Sequence, residues 1–298
     1  MAIKVRIPAT SANLGPGFDS IGLAVNRYNY VTMEEADGCQ IISLDGAPVP
    51  TDETNLVYST AKSLYELCGV PFKGLKIGQI NNIPFARGLG SSSACIIGGL
   101  KGANRLLGNP LADDDLINLA ADLEGHPDNS TPALTGGLVT AVFENHRVWY
   151  VKQEIHGELQ FVAIVPDFEL KTSLARAVLP DTVSRRDGIF NLSRAALMSV
   201  SLYSGNYHNL RVAVDDRLHQ PYRLGMIRGG KQVMALCYEL GAYAVYISGA
   251  GSTLMAIVDS KRQKFGEQLS DRLPELGLPG WQVHTMGIDN QGTVIERV

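Results

Sequence analysis

Residues 84–94, Pro-Phe-Ala-Arg-Gly-Leu-Gly-Ser-Ser-Ser-Ala, set two glycines and three hydroxyls directly ahead of an apolar run with helical spacing. That composition is suited to holding phosphate. Gly88 and Gly90 let the backbone approach an anion closely, the first amides of the following helix lack intrahelical partners, and its dipole favours negative charge there. Ser91, Ser92 and Ser93 can cap the helix and offer hydroxyls to phosphate oxygens or to a magnesium ion. Taken alone, the string also fits an ordinary Gly/Ser turn with an N-cap. It is neither a Walker A loop, which needs a Lys after the second glycine, nor a GxGxxG fingerprint, which needs a third glycine.

Acidic and guanidinium groups elsewhere could complete such a site. The run Asp113-Asp114-Asp115, Leu116, Ile117, Ala120, Leu123 reads as an amphipathic helix with acids in its first turn, yet Glu124 falls in its last turn, where the dipole disfavours negative charge. A bound Mg²⁺ would reverse that preference; a frayed, exposed end is the alternative reading. Because Mg²⁺ keeps several waters and uses one or two protein oxygens plus substrate phosphates, Glu124 with a loop serine is a sufficient set. His126-Pro127-Asp128-Asn129 follows, a turn sequence that also brings an acid and an amide to the helix end. Arg176 and Arg223 each carry a planar fork that pairs bidentately with a carboxylate, although either alone also reads as a solvated surface charge.

These groups must be positioned by a mixed framework. Alternation marks strands near 3–7, 28–34 and 137–143, and 56–68, 94–107 and 113–124 read as helices. Beyond about 158 come a strand over 159–166, helices over 190–203 and 225–240, a strand over 243–248, a helix over 262–273 and a strand over 281–288. Strands and helices mixed in both halves make an α+β architecture. Two tightly packed domains, 1–155 and 156–298, sharing a cleft are expected, since no Gly/Pro/Ser linker marks the boundary. The chain has 298 residues, 45% hydrophobic and 19% charged, with a net charge of −4, which leaves no electrostatic footprint for nucleic acid. No apolar run reaches the length of a membrane span and the N-terminus alternates, so a cytoplasmic protein with no membrane partner is expected. Cys39, Cys68, Cys95 and Cys237 are scattered without CxxC pairing and read as reduced thiols.

Residues 84–94 resemble the central motif of the GHMP kinases without a gap. Two more segments extend the likeness: Pro8-Ala9-Thr10-Ser11-Ala12-Asn13-Leu14-Gly15-Pro16-Gly17-Phe18-Asp19 near the start, and Ser248-Gly249-Ala250-Gly251-Ser252-Thr253 near the end. With Glu124-Gly125-His126-Pro127-Asp128-Asn129 and Gln220-Pro221-Tyr222-Arg223, the set is similar to that of the family members that phosphorylate homoserine. The resemblance implies a ribosomal-protein-S5-like N-terminal domain, a ferredoxin-like C-terminal domain, ATP and Mg²⁺ as cofactors, L-homoserine as acceptor in threonine biosynthesis, and a homodimer. It implies nucleotide contacts from Pro84, Arg87, Gly88, Leu89, Gly90, Ser91, Ser92, Ser93 and Ala94, and a metal at Glu124 and Ser92. Asp128 and Asn129 would orient the acceptor hydroxyl. Arg176 and Arg223 would grip the carboxylate and Asn13 and Asp19 the amino group, with Thr172 and Gly249 completing the substrate contacts. On this reading Gly90→Val abolishes ATP binding and spares the fold. The alternatives are a sibling acting on mevalonate or shikimate, which would not need both poles of a zwitterion clamp, and a non-catalytic sensor, which would not need Glu124 and Asp128.

Overall fold

The computed structural model describes residues 2–155 and 157–296. In chain order these form β1 (Ile3–Ala12), β2 (Ile21–Glu35), β3 (Gly38–Ser43), α1 (Leu56–Leu67), β4 (Gly74–Asn81), α2 (Ser91–Leu106), α3 (Asp113–Glu124), α4 (Ser130–Thr135), β5 (Leu138–Glu144), β6 (Arg147–Gln153) and β7 (Leu159–Val165). There follow α5 (Thr172–Ala177), α6 (Arg185–Ser204), α7 (Leu210–Ala213), α8 (Gln220–Arg223), α9 (Gly230–Glu239), β8 (Ala244–Ile247), β9 (Leu254–Asp259), α10 (Phe265–Arg272), β10 (Gln282–Met286) and β11 (Val294–Glu296).

A seven-stranded sheet runs in the order β11-β1-β2-β4-β3, with β5 pairing β2 and β6 pairing β5. On the edge away from β1, the long β2 serves two neighbours: residues 21–23 pair with β5 and residues 29–35 with β4. The strand expected over 28–34 is therefore only the second half of β2. Its first half is buried without interruption from Ile21 to Val25 and offers no alternation to read. The strand expected over 3–7 likewise continues to Ala12, through Thr10 and Ser11, which are buried because their hydroxyls find partners in Asn129, Tyr246 and Ser248.

The second sheet is antiparallel in the order β10-β7-β9-β8, the strand sequence of a ferredoxin-like βαββαβ unit. Alternation within it decides how the two halves join. Phe161, Ala163, Met255 and Ile257 face the core built by the first sheet, whereas Val162, Ile164, Ala256 and Val258 face a second core closed by α9 and α10. With both faces covered, β9 is an unbroken apolar run, which is why alternation does not reveal it. The expected division falls at residue 156, outside the described residues. At the other end the chain returns: β11 pairs with β1, Val5 opposite Ile295, so residues 294–296 belong to the first sheet.

Helix boundaries shift for local reasons. The helix expected from 190 begins at Arg185, because Ser184 caps it by accepting from the Asp187 amide. The helix expected from 225 begins at Gly230, after a short 3₁₀ turn and a left-handed Gly229. Among the described residues no helix is long and apolar enough to cross a membrane.

Candidate active site

One cavity of about 420 Å³ lies where β1, α2, α3, α5, α8 and the loop after β8 converge. It gathers Asn13, Asp19, Arg87, Gly88, Gly90, all three serines, Glu124, Asp128, Asn129, Thr172, Arg176, Arg223 and Gly249, residues spread over most of the sequence. Pro84, Leu89 and Ala94 do not line it, and Leu89 and Ala94 are core residues that fix the loop from behind.

The loop before α2 is set by its glycines. Gly88 and Gly90 have φ of 80° and 70°, the left-handed region that favours glycine. A Cβ on Gly88 would lie 2.2 Å from the Ser248 carbonyl oxygen. Ser248 Oγ donates to the Gly88 carbonyl at 2.6 Å, and the Thr253 amide donates to the Arg87 carbonyl at 3.0 Å. The loop is thereby fastened to the turn that follows the second sheet's β8. Gly90 is the N-cap of α2 with no side chain capping the helix, so the serines do not cap as expected; they form its first turn.

Gly90 also corrects the expected behaviour of Gly90→Val. A Cβ there would lie 2.0 Å from Thr10 Oγ1, whose hydroxyl donates to Asn129 Oδ1 at 2.8 Å. We expect Gly90→Val to lower unfolding stability by about 3 kcal/mol as well as to remove ATP binding, because a β-branched residue is strained at positive φ and must displace β1. An unchanged denaturation midpoint would contradict this packing.

Helical phase separates the serines. Ser93 lies on the face of Ile97 and Leu100 and its hydroxyl sits 2.7 and 2.8 Å from the two Glu124 oxygens, whereas Ser92 points outward on the cavity rim. The acid's partner is thus Ser93, not Ser92, and the shared face with Ile97 was the signal that could have found it. Ser91 Oγ is buried with no hydrogen-bond partner among the described residues. Burial pushes the Glu124 carboxyl up to about 7; the Ser93 hydroxyl and His126 oppose this and Asp128 adds to it.

That shift carries a pH signature. Because the folded pKa lies above the unfolded value of 4.5, the native state binds more protons between about pH 4.5 and 7. This group's contribution to stability is therefore fully present at low pH and lost as pH rises through 7. In EDTA-treated protein, the melting temperature of wild type relative to Glu124→Gln should fall across that window; parallel profiles would contradict the burial of an ionising Glu124.

His126 Nδ1 donates to Asp128 Oδ1 at 2.7 Å, giving His126 the partner the sequence did not reveal. Burial works against the imidazolium, but Asp128, with Glu124 and Asp19, outweighs it and raises the His126 pKa. Asp128 is almost fully buried. Asp19, His126 and Asp128 bring ligand atoms within 4.8 Å of one another, but Asp19 and Asp128 are already taken by Arg176 and His126.

At the far end of the cavity, Arg223 is 2% exposed and held by three acceptors: Nε donates to the Ala175 carbonyl at 3.1 Å, and Nη1 to the Gly249 carbonyl at 3.1 Å and His219 Nδ1 at 3.2 Å. His219 Nε2 donates to the Gly15 carbonyl at 2.7 Å, which leaves Nδ1 as the acceptor. Asp216 in turn accepts the amides of Leu218, His219 and Gln220. Arg223 Nη2 has no partner among the described residues. Burial and the neighbouring Arg176 bring the Arg223 pKa down to about 10, still charged at neutral pH. Sequence reasoning missed His219 and Asp216, although both contacts are local: His219 stands four residues before Arg223, and Asp216 two to four residues before the amides it accepts, a spacing that could have found them.

The expected opposite poles of the clamp touch. Arg176 Nη1 and Nη2 donate to the two Asp19 oxygens at 3.0 and 2.8 Å. Phe18 lies under both guanidiniums, 5.5 Å from Arg176 and 5.1 Å from Arg223. Asn13 is engaged at both ends of its amide, accepting from the Asp19 amide at 3.1 Å and donating to the Gly249 carbonyl at 2.9 Å, so it braces the loop that presents Asp19. Leu56, Ile96 and Leu123 line the same cavity and give it an apolar wall.

Comparison with known proteins follows the same lines. Residues 55–137 match the family model described as GHMP kinases N terminal domain, and residues 198–275 the one described as GHMP kinases C terminal. The chain is 45% identical to the homoserine kinase of Clostridium beijerinckii, with 99% of each chain covered. It is 43% identical to the homoserine kinase of Caldicellulosiruptor saccharolyticus, covering 98% of this chain and 96% of the relative. Among solved structures, homoserine kinase from Cytophaga hutchinsonii is similar with a TM-score of 0.88 at 28% identity, covering 99% of this chain and 97% of that one. Mevalonate diphosphate decarboxylase from Staphylococcus aureus shares the fold, with a TM-score of 0.74 at 18% identity, covering 99% and 98%.

Proposed function

The chain belongs to the GHMP kinase family, and from that premise we propose that it transfers the γ-phosphoryl group of ATP to the side-chain hydroxyl of L-homoserine, giving O-phospho-L-homoserine for threonine biosynthesis. The observation that carries this reading is one cavity joining a glycine-rich helix N-terminus to a carboxylate and two guanidiniums. The first supports a polyphosphate, whose charge the free amides of α2 and its dipole stabilise. The second supports an amino acid with a charge at each pole.

Each group then has a task. The triphosphate lies along the amides of Gly88 to Ser93, and the adenine lies against Leu56, Ile96 and Leu123. Glu124, Ser93 and the unpartnered Ser91 hydroxyl are hard oxygen donors of the kind Mg²⁺ takes, and they fit that ion together with phosphate oxygens. When bound, the ion neutralises phosphate charge. Asp128 and Asn129 orient the acceptor hydroxyl; because phosphoryl transfer passes through a loose transition state, positioning contributes more than a strong base would. His126 donates to Asp128 and holds that carboxylate in place. The substrate's ammonium takes Asp19, and its carboxylate takes Arg176 and Arg223, replacing the Asp19–Arg176 pair. A cytoplasmic setting is consistent with four free cysteines.

³¹P NMR of the reaction tests the reading. A phosphate monoester on the side-chain oxygen, with ADP, is the expected product. A phosphoanhydride on the carboxylate, or inorganic phosphate alone, would overturn it.

A further inference from the structure

Three buried hydroxyls run in line from the second sheet to the loop before α2. Tyr246 Oη lies 2.9 Å from Ser11 Oγ, Ser11 Oγ 2.8 Å from Ser248 Oγ, and Ser248 Oγ 2.6 Å from the Gly88 carbonyl oxygen. Tyr246, Ser11 and Ser248 are all 0% exposed, so water cannot stand in for any of these partners. The carbonyl at the end fixes every proton. Gly88 O can only accept, so Ser248 spends its one hydrogen there and must accept from Ser11. Ser11 has then spent its own and must accept from Tyr246, which heads the chain. Burial pushes the Tyr246 phenol well above its ordinary pKa, which keeps that first proton in place. The chain therefore has one direction, toward the loop.

We propose that Ser248 is a positioning residue for phosphate binding and that Tyr246 and Ser11 act through it, the chain holding the Gly88 carbonyl away from the anion. The proposal rests on the reading of residues 84–94 as the phosphate site. Three consecutive carbonyls of that loop are claimed: Arg87 by the Thr253 amide at 3.0 Å, Gly88 by Ser248 at 2.6 Å, and Leu89 by the Thr10 amide at 3.2 Å. With these carbonyls spent on β1 and on the turn after β8, the loop has N–H groups left to offer a polyphosphate, which is what an anion nest requires. Backbone amides hold the two outer carbonyls and a side chain holds the middle one, so Gly88 is where a substitution can release the loop. A freed carbonyl would be buried without a partner and would turn toward the cavity, where its oxygen repels phosphate. The donors behind Ser248 matter because a hydroxyl that receives a bond donates a stronger one. Tyr246 thereby couples the two halves of the fold: its strand belongs to the second sheet, while its side chain packs in the core built by the first.

Isothermal titration of ATP, at fixed Mg²⁺, into wild type, Ser248→Ala, Tyr246→Phe and the double variant tests the proposal. Ser248→Ala should weaken ATP binding about 10-fold and Tyr246→Phe about threefold. In the Ser248→Ala background Tyr246→Phe should change ATP affinity no further, because nothing is left to carry its effect to the loop; two independent structural losses would multiply. Affinity for L-homoserine, titrated in the same way, should stay within twofold of wild type in each variant, and near-ultraviolet CD should report the same packing. Equal losses for ATP and L-homoserine, multiplying losses in the double variant, or an ATP affinity that is the same in all four proteins would each overturn the proposal alone. A wild type that binds no ATP would instead remove the phosphate-site reading, and the proposal with it.

Discussion

Arg223→Met is expected to lower kcat/KM for L-homoserine by about 100- to 1000-fold while leaving ATP affinity unchanged. The substitution keeps the volume of the stem and removes a charge that is 2% exposed, so the substrate carboxylate is left partly desolvated without its charge-assisted partner. That loss is about 3–4 kcal/mol. Arg176→Met should cost less, about 30-fold, because Arg176 is 40% exposed at its side chain and must first leave Asp19. The two arginines are therefore unequal for a reason the sequence could not supply. 3-Amino-1-propanol, which has no carboxylate, should be an equally poor substrate for wild type and both variants. Steady-state kinetics with each acceptor decide the matter; homoserine kinetics within twofold of wild type in Arg223→Met would remove the carboxylate clamp.

Glu124→Gln should lower kcat by at least about 100-fold at saturating Mg²⁺, with little change in the KM for homoserine. The carboxylate is buried and close to Ser93, so the amide keeps the packing and removes only the charge that a hard cation requires. EDTA should abolish wild-type turnover, and added Mg²⁺ should restore wild type but not the variant. Near-normal turnover of Glu124→Gln would take Glu124 out of the metal set.

The groups readable from sequence are those whose meaning is local. Gly88, Gly90 and the serines announce a helix N-terminus by composition, and Glu124 stands out because it sits at the wrong end of its own helix. The register of α2 is also local, and it places Ser93 rather than Ser92 on Glu124. What stayed hidden depends on partners far along the chain. Nothing near Arg223 says that the Ala175 and Gly249 carbonyls hold it, or that His219 reaches back to Gly15. The Asp19–Arg176 pair joins positions 157 residues apart. Elements failed in the same way: β9 is buried on both faces and loses its alternation, and β11 is a strand only because β1 offers it an edge.

The most direct test of the account is ADP release by the purified protein with Mg²⁺-ATP and, in parallel, L-homoserine, mevalonate, shikimate and galactose. Turnover with L-homoserine alone is the predicted result, since only that acceptor offers a charge to both ends of the clamp. Turnover with one of the other three in its place, or nucleotide binding without turnover on any of them, would contradict it.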